Sequence, residues 1–378
     1  MPAMHRNTFL WQLVVLAAVL GIGLSVFLTT QANLARLGVD SGFDFLCKRA
    51  GFEIGQTFIA YDADSSIARA FVVALLNTLV LAFAASACAS VLGLVIGLCR
   101  LSSNWLLARM ATAYVELFRN IPSLLQIFFW YFFVLRTLPP FRDSVILPWG
   151  AVLNNRGLFL PGPALQGHGA VIVLAVLAAL LAIGMLRHWY RRRLYEQGRT
   201  FPLFLVSALL LMGLPLLATT LAGMGWELPR PGRFGYEGGL VLLPEFLALV
   251  CGLSMYNATY ISEVVRSGFA SVPRAQLEAA ESLGLGRGLA LRLVILPQAL
   301  RVMLPPLTTI YLNLFKSTSL AAAIAYPEVV SVLVGTVNNL VGQPVSIMAM
   351  TLVVYASISL CIALLLNAYG RRLALRGA

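Results

Sequence analysis

Residues 278–297, from Glu278 to Pro297, read EAAESLGLGRGLALRLVILP and form a polar, basic island between two long apolar runs. The first part predicts a short helix. Pro273 sits just inside its start and Gly284 just past its end, the usual asymmetry of helix boundaries. Leu277, Ala280 and Leu283 fall on one stripe, with Glu278 and Glu281 beside it. About ten residues is shorter than the roughly 12–15 at which an isolated helix becomes marginal in water. A pair between Arg274 and Glu278 adds only about 0.3 kcal/mol. The helix therefore needs a surface to pack on, and a loop leaving a membrane finds that surface on another protein.

That the loop leaves a membrane follows from composition. Of 378 residues, 60% are hydrophobic and 11% charged, and the mean hydropathy is +0.86. Soluble domains carry about 25% charged residues. The net charge of +12 raises the question of nucleic acid, but the basic residues alternate in place with apolar spans, which is a topology signal and speaks against a nucleic-acid partner. Cys47, Cys88, Cys99, Cys251 and Cys361 show no metal-ligand spacing. Four of them lie in or beside apolar runs, as small hydrophobes do.

The apolar runs predict eight spans, at about 10–29, 71–98, 110–138, 170–186, 201–222, 240–266, 302–324 and 345–369. The first reads as an uncleaved anchor, since a signal peptide has a shorter apolar region and a small-residue cleavage site. The second contains Gly93-x-x-x-Gly97, a spacing that lets a neighbouring helix approach closely. Segments 31–69, 139–169 and 223–239 are rich in turn formers and read as loops. Eight spans place both termini on one side, and that side carries sixteen basic residues against nine on the other. By the positive-inside rule it is the cytoplasm. The expectation is an all-α, polytopic helical bundle in the membrane bilayer, with both termini and the 278–297 loop cytoplasmic.

No enzyme constellation is present. His5, His168 and His188 are scattered at span ends, and no nucleophile elbow or HExxH occurs. The two lysines, Lys48 and Lys316, are not preceded by Gly, so the chain cannot form a Walker A loop. If ATP drives this protein, another polypeptide hydrolyses it. Glu116 and Arg119, three apart, can pair on one helix face, either easing helix entry or acting at the cytoplasmic end of the bundle. Lys316 lies inside an apolar run, where a central charge costs about 2.5–3.5 kcal/mol, and so should face the bundle interior. Two readings stand for it. With Asn313, Ser317 and Thr318 it lines a solute route, or it reaches the far interface and bonds helix carbonyls. Glu263, three residues before Arg266, is either a salt-bridged helix end or a substrate contact. The aromatic run Phe128–Phe133 reads as packing near the outer interface.

The order Glu278, Ala279, Ala280, then Gly284, Val294, Leu296 and Pro297 resembles the EAA motif of ATP-binding-cassette importer permeases, with Val294 where the family usually has Ile. YVELFRNIPSLLQ (114–126), YNATYISEVVRSG (256–268, with Tyr260 and Glu263) and LNLFKSTSL (312–320) are similar to the polar amino-acid group of that family. GFEIG (51–55) and LNNRGL (153–158) resemble its long form, which imports general L-amino acids or glutamate, glutamine, aspartate and asparagine.

The resemblance implies a five-span core within 71–370, with 1–70 as an anchor and external segment, a helical pair inserted within about 139–239, and a tail at 371–378. It implies that the 278–297 loop couples to a cytoplasmic ATPase dimer, which binds the ATP and magnesium, this chain holding no cofactor. It also implies a second permease subunit, a periplasmic amino-acid-binding protein, the bacterial inner membrane, and alternating access as the mechanism. A secondary transporter or channel is disfavoured by the scarcity of intramembrane carboxylates. A membrane enzyme is disfavoured by the missing constellation, and efflux by the resemblance of the loop to importers.

Overall fold

A computed structural model describes residues 2–36, 42–163, 169–197, 203–223, 225–232 and 235–374. His168, the basic residues Arg199, Arg233 and Arg376 of the charge count, and the last four residues of the predicted tail lie outside them. The helices are α1 (Pro2–Arg36), α2 (Ile67–Arg100), α3 (Trp105–Arg119), α4 (Ser123–Thr137), α5 (Gly169–Gln197), α6 (Leu203–Leu221), α7 (Pro244–Ala270), α8 (Arg274–Ser282), α9 (Arg287–Ala290), α10 (Leu296–Ser317), α11 (Asn338–Val341) and α12 (Pro344–Ala374). Their starts follow local chemistry. The Ser66 hydroxyl accepts from Arg69 N ahead of α2, Asn104 Oδ1 accepts from Leu106 N and Leu107 N ahead of α3, and Pro244 opens α7.

Among the described residues, three helical stretches are long and apolar enough to cross a bilayer: Ile67–Arg100, Arg287–Ile324 and Pro344–Gly370. The span expected at 110–138 is not one helix. It is α3 and α4, bent by 101° across a short break, and makes a fourth crossing only if the pair counts as one. Pro122 disfavours helical backbone at the residue before it, so α3 stops ahead of it. The buried Gln126 then ties the corner, its Nε2 donating to Phe118 O at 2.8 Å and Ile121 O at 3.0 Å. The seventh span is longer than the expected 302–324. A π turn over Leu291–Ile295 leads into α10, and a 3₁₀ turn over Thr318–Ile324 extends it until Ala325 (φ 58°) breaks the rod.

Two of the expected loops, 139–169 and 223–239, also hold structure. Strands β1 (Val145–Ile146), β2 (Val152–Asn154), β3 (Gly157–Leu160), β4 (Gly162–Pro163), β5 (Trp226–Glu227), β6 (Arg230–Pro231), β7 (Tyr236–Glu237) and β8 (Leu240–Leu242) form an antiparallel sheet of order β1-β2-β3-β8 and two hairpin ladders, β4 with β5 and β6 with β7. The all-α bundle thus carries a small β cap. The chain from 240 to 242 is strand, so the sixth span begins at Pro244 rather than Leu240. Because β3 pairs with β8 and β4 with β5, α5 and α6 leave and return at one closed stem. Segment 325–344 holds a short apolar helix, Ser331–Val341, that buries Val332, Leu333 and Val337. Apolar residues at that spacing gain by folding back on the bundle.

The core gathers around α7, where Leu249, Leu253, Ile261 and Val265 meet Leu81, Ala85 and Ala89 of α2, Ile127 of α4 and Leu314 of α10. A Cβ built on Gly93 would lie 2.6 Å from Ile261, and one on Gly97 would lie 2.8 Å from Val265. The glycine pair is therefore the seat of α7. A Gly97→Leu substitution should lower stability by about 1–3 kcal/mol, read as a lower thermal midpoint of the detergent-solubilised protein. An unchanged midpoint would show that the two helices are not in this contact.

Candidate functional site

The island folds as helix, turn and helix. α8 starts after Pro273, whose φ of −60° suits the position, and ends at Gly284 with φ +79°. Leu285 N donates to Ala280 O at 3.1 Å and Gly284 N to Glu281 O at 2.9 Å, which is a Schellman closure with glycine at the left-handed position. No atom lies within 4 Å of a Cβ built on Gly284, so backbone conformation, not space, selects glycine. Of the helix only Ala280 is buried, and the helix lies against α9 and the π turn that leads into α10. Glu278 and Ala279 are exposed, and Leu283, expected on the inner stripe, is 82% exposed. The Arg274–Glu278 pair does not form, since a basic residue N-terminal to an acidic one is the poorer order for i,i+4. Arg287 Nε instead meets Glu281 at 3.3 Å.

Val294 lies within the π turn, and Leu296 and Pro297 open α10, all three half-buried. Pro297 cannot donate to the carbonyl one turn back, and the backbone widens around it. Gln298 Nε2 compensates by donating to Val294 O at 3.0 Å. The motif residues thus split into an exposed helix and the half-buried turn beneath it.

On α7, both oxygens of Glu263 are occupied. Arg100 Nη1 of α2 binds Oε2 at 2.6 Å and Arg266 Nη2 binds Oε1 at 2.5 Å, so this carboxylate clamps the ends of two helices. Arg119 does not pair with Glu116. It lies over the Tyr260 ring at 5.3 Å, and the Tyr260 hydroxyl meets that of Tyr256 at 3.0 Å. Arg119 closes α3 beside the bend, where α7 offers an aromatic face. With Tyr114 donating to Met255 O at 2.9 Å, the segments beginning at 114 and 256 form one contact.

Lys316 does not face the interior of this chain's bundle. It is exposed, as are Thr309 and Asn313 on the same face of α10 at i, i+4 and i+7. Ser317 Oγ donates back to Asn313 O at 2.8 Å. Thr318 turns the other way and is buried, its hydroxyl donating to Phe315 O and lying 3.4 Å from the Tyr355 hydroxyl. Among the described residues no hydrogen bond or ion pair joins Tyr260 or Glu263 to Lys316.

Thr318 touches a buried polar knot that the sequence reading missed. Glu328 is fully buried, accepting from Val330 N and Ser331 N, each at 2.8 Å, and from the Tyr355 hydroxyl at 3.0 Å. Thr78 Oγ1 accepts from Val329 N, and Asn77 Nδ2 donates to Pro327 O and Gln56 O. Gln56 Nε2 donates to the Tyr326 hydroxyl, and its Oε1 accepts from Leu243 N. The signal was a Pro-Glu pair just before an apolar run, which marks a helix start. Burial pushes the Glu328 carboxyl up to about 7, against the three hydrogen bonds that favour its charged form. The folded state then holds a proton that the unfolded chain gives up near 4.5. Stability from this group is full below about pH 4.5 and is lost as pH rises through 7, a change on the order of 3 kcal/mol. Glu328→Gln should flatten that part of the thermal midpoint between pH 5 and 8, and a profile parallel to the parent's would remove Glu328 as its source.

The family described as "Binding-protein-dependent transport system inner membrane component" matches residues 171–375. A putative amino-acid ABC transporter permease protein of Escherichia coli (strain K12), YhdX, is 48% identical over 98% of this chain and 94% of its own length. The general L-amino acid transport system permease protein AapQ of Rhizobium johnstonii is 43% identical, over 98% and 93%. The glutamate/glutamine/aspartate/asparagine transport system permease protein BztB of Rhodobacter capsulatus is 36% identical, over 91% and 88%. With a capped, exposed helix between membrane-length rods and this likeness along nearly the whole chain, the protein belongs to the inner-membrane components of binding-protein-dependent transport systems.

Proposed function

We propose that this chain is a permease subunit of an ATP-driven importer of L-amino acids, polar, acidic or general. The substrate class rests on the names carried by relatives up to 48% identical over 98% of the chain. The observation that carries the mechanism is α8. It has one buried residue, a glycine-locked end, and Glu278, Ala279 and Leu283 presented outward. Such a helix is made to be held by another surface, here a cytoplasmic ATPase dimer that binds the ATP and magnesium. A second permease subunit and a periplasmic amino-acid-binding protein complete the assembly in the bacterial inner membrane. The core comprises the spans within 71–370, α5 and α6 forming an insertion on the β stem and 1–70 an anchor with an external segment.

Gly284→Val forces a branched residue into positive φ and should cut co-purification of the ATPase at least tenfold while leaving the membrane-inserted chain at its normal level. Undiminished co-purification would sink α8 as the docking element.

The exposed Thr309, Asn313 and Lys316 supply a second argument. A charge facing lipid is costly, so this face of α10 lines the path between the two permease subunits, where the ammonium meets a substrate carboxylate. Lys316→Met should lower uptake of acidic or neutral amino acids about tenfold in a whole-cell assay, with binding to the periplasmic protein unaffected. Unchanged uptake would take Lys316 out of the path.

A further inference from the structure

Two cavities follow the seam between α2, α10 and α12, apart from both the docking loop and the polar face of α10. The larger, about 640 Å³, is walled by Leu79, Phe83 and Ser86 of α2, Tyr311 and Phe315 of α10, and Leu366 of α12. Ser90 and Tyr311 satisfy each other there at 2.8 Å, so its wall is in effect hydrocarbon. The smaller, about 390 Å³, continues it past the shared Leu366 to Arg301, Leu304 and Thr308 of α10 and Asn367 and Gly370 of α12. Among the described residues no carboxylate lines this end. Arg301 Nε is buried and has no hydrogen-bond partner, and Arg301 has no ion pair among the described residues. A buried guanidinium donor without an acceptor is an unmet demand for an anion.

The order of these features matches one molecule type. Arg301 lies at the cytoplasmic end of its rod, and Arg371 and Arg372 follow Gly370 in the chain. From Arg301 to Phe315 the helix rises roughly 21 Å at 1.5 Å per residue. That is the depth of one leaflet of hydrocarbon, about half of ~30 Å, plus its headgroup layer. A groove that is cationic for its first turn and apolar below suits neither a water-filled path nor an apolar helix, which would leave the guanidinium unmet. We propose that the seam binds one anionic phospholipid of the cytoplasmic leaflet, its phosphate on Arg301 and Asn367 and an acyl chain along Ser86, Tyr311 and Phe315.

The test uses the full-length chain, in whatever assembly it extracts with, stripped of lipid by detergent exchange. Separate arms receive phosphatidylglycerol, phosphatidylcholine or inorganic phosphate, and native mass spectrometry counts what each chain retains. Expected are one tightly held phosphatidylglycerol, phosphatidylcholine held about fivefold more weakly, and no retained phosphate. Arg301→Met should erase the preference for the anionic lipid, Arg301→Lys should keep most of it, and Ser86→Phe should lower retention of both lipids by filling the groove. Equal retention of the two lipids by the parent chain, retention of free phosphate alone, or crosslinking of Phe83→Cys to another subunit across the seam would each overturn the proposal. If Arg301→Met does not fold, the contrast between lipids on the parent chain and Ser86→Phe decides.

Discussion

The rest of the molecule depends on how closely α2 can approach α7. Lipid tails are as apolar as leucine, so helices in a bilayer gain nothing from hydrophobicity by associating and must gain it from contact. Gly93 and Gly97 remove the side chains that would hold the two backbones apart, and Ile261 and Val265 fill the space. At the end of the same seam where α2 stops, the Glu263 carboxylate ties Arg100 to Arg266. Once seated, α7 can be polar. Ser254, Asn257, Thr259 and Ser262 are buried, and each donates to a carbonyl of its own helix. The most enclosed helix is consequently not among those apolar enough to pass for a membrane span by composition. Protein shields it, so its polar groups never meet lipid.

What was legible in the sequence divides along the same line. The boundaries of α8 could be read because Pro273 and Gly284 act through local backbone preference, which needs no tertiary context. The glycine pair in α2 announced a close neighbour but not which one. The bend at 120–122 was hidden because hydropathy averages over a window, in which the apolar run after Ser123 outweighs Arg119 and Asn120, although the proline stood in plain view. The β cap was invisible because strands of two to four residues carry no period. Of two ion pairs expected from spacing alone, Arg274–Glu278 and Glu116–Arg119, neither forms, and Arg119 lies over the Tyr260 ring of α7 instead. Glu328 was missed for the opposite reason. One carboxylate in an apolar stretch looks like a loop residue until the fold closes over it.

α10 shows how one helix serves several surroundings. Its buried side, with Ala299, Met303, Leu314 and Phe315, belongs to the core. Arg301, Thr308 and Tyr311 look onto the seam with α12, while Thr309, Asn313 and Lys316 stand exposed. Exposed leucine and phenylalanine on α1, α4 or α12 need no explanation in a bilayer. An exposed amide and ammonium on a membrane-length rod do, because the cost of facing hydrocarbon falls on polar groups alone. The polar face of α10 therefore says more about assembly than the far larger apolar surface around it.

The weakness of α8 and the way its two ends are joined to the bundle belong together. A helix that folded independently would keep its shape whether or not a partner held it, and its position would report little about that partner. α8 buries one alanine and is joined by a closed turn to α9, the π turn and α10. Displacing it can be absorbed in two places. The link to α7 is short, but α7 is wedged against α2 and clamped at Glu263. The link to α10 passes through a π turn already widened around Pro297, and α10 itself carries Pro305 and Pro306, where two further backbone donors are missing. Of the two routes, the second is the softer. A pull on α8 should thus move α10, with its polar face, relative to α7 rather than carry the whole bundle. In the importer proposed above, that asymmetry would turn a contact at α8 into a change along the polar face of α10.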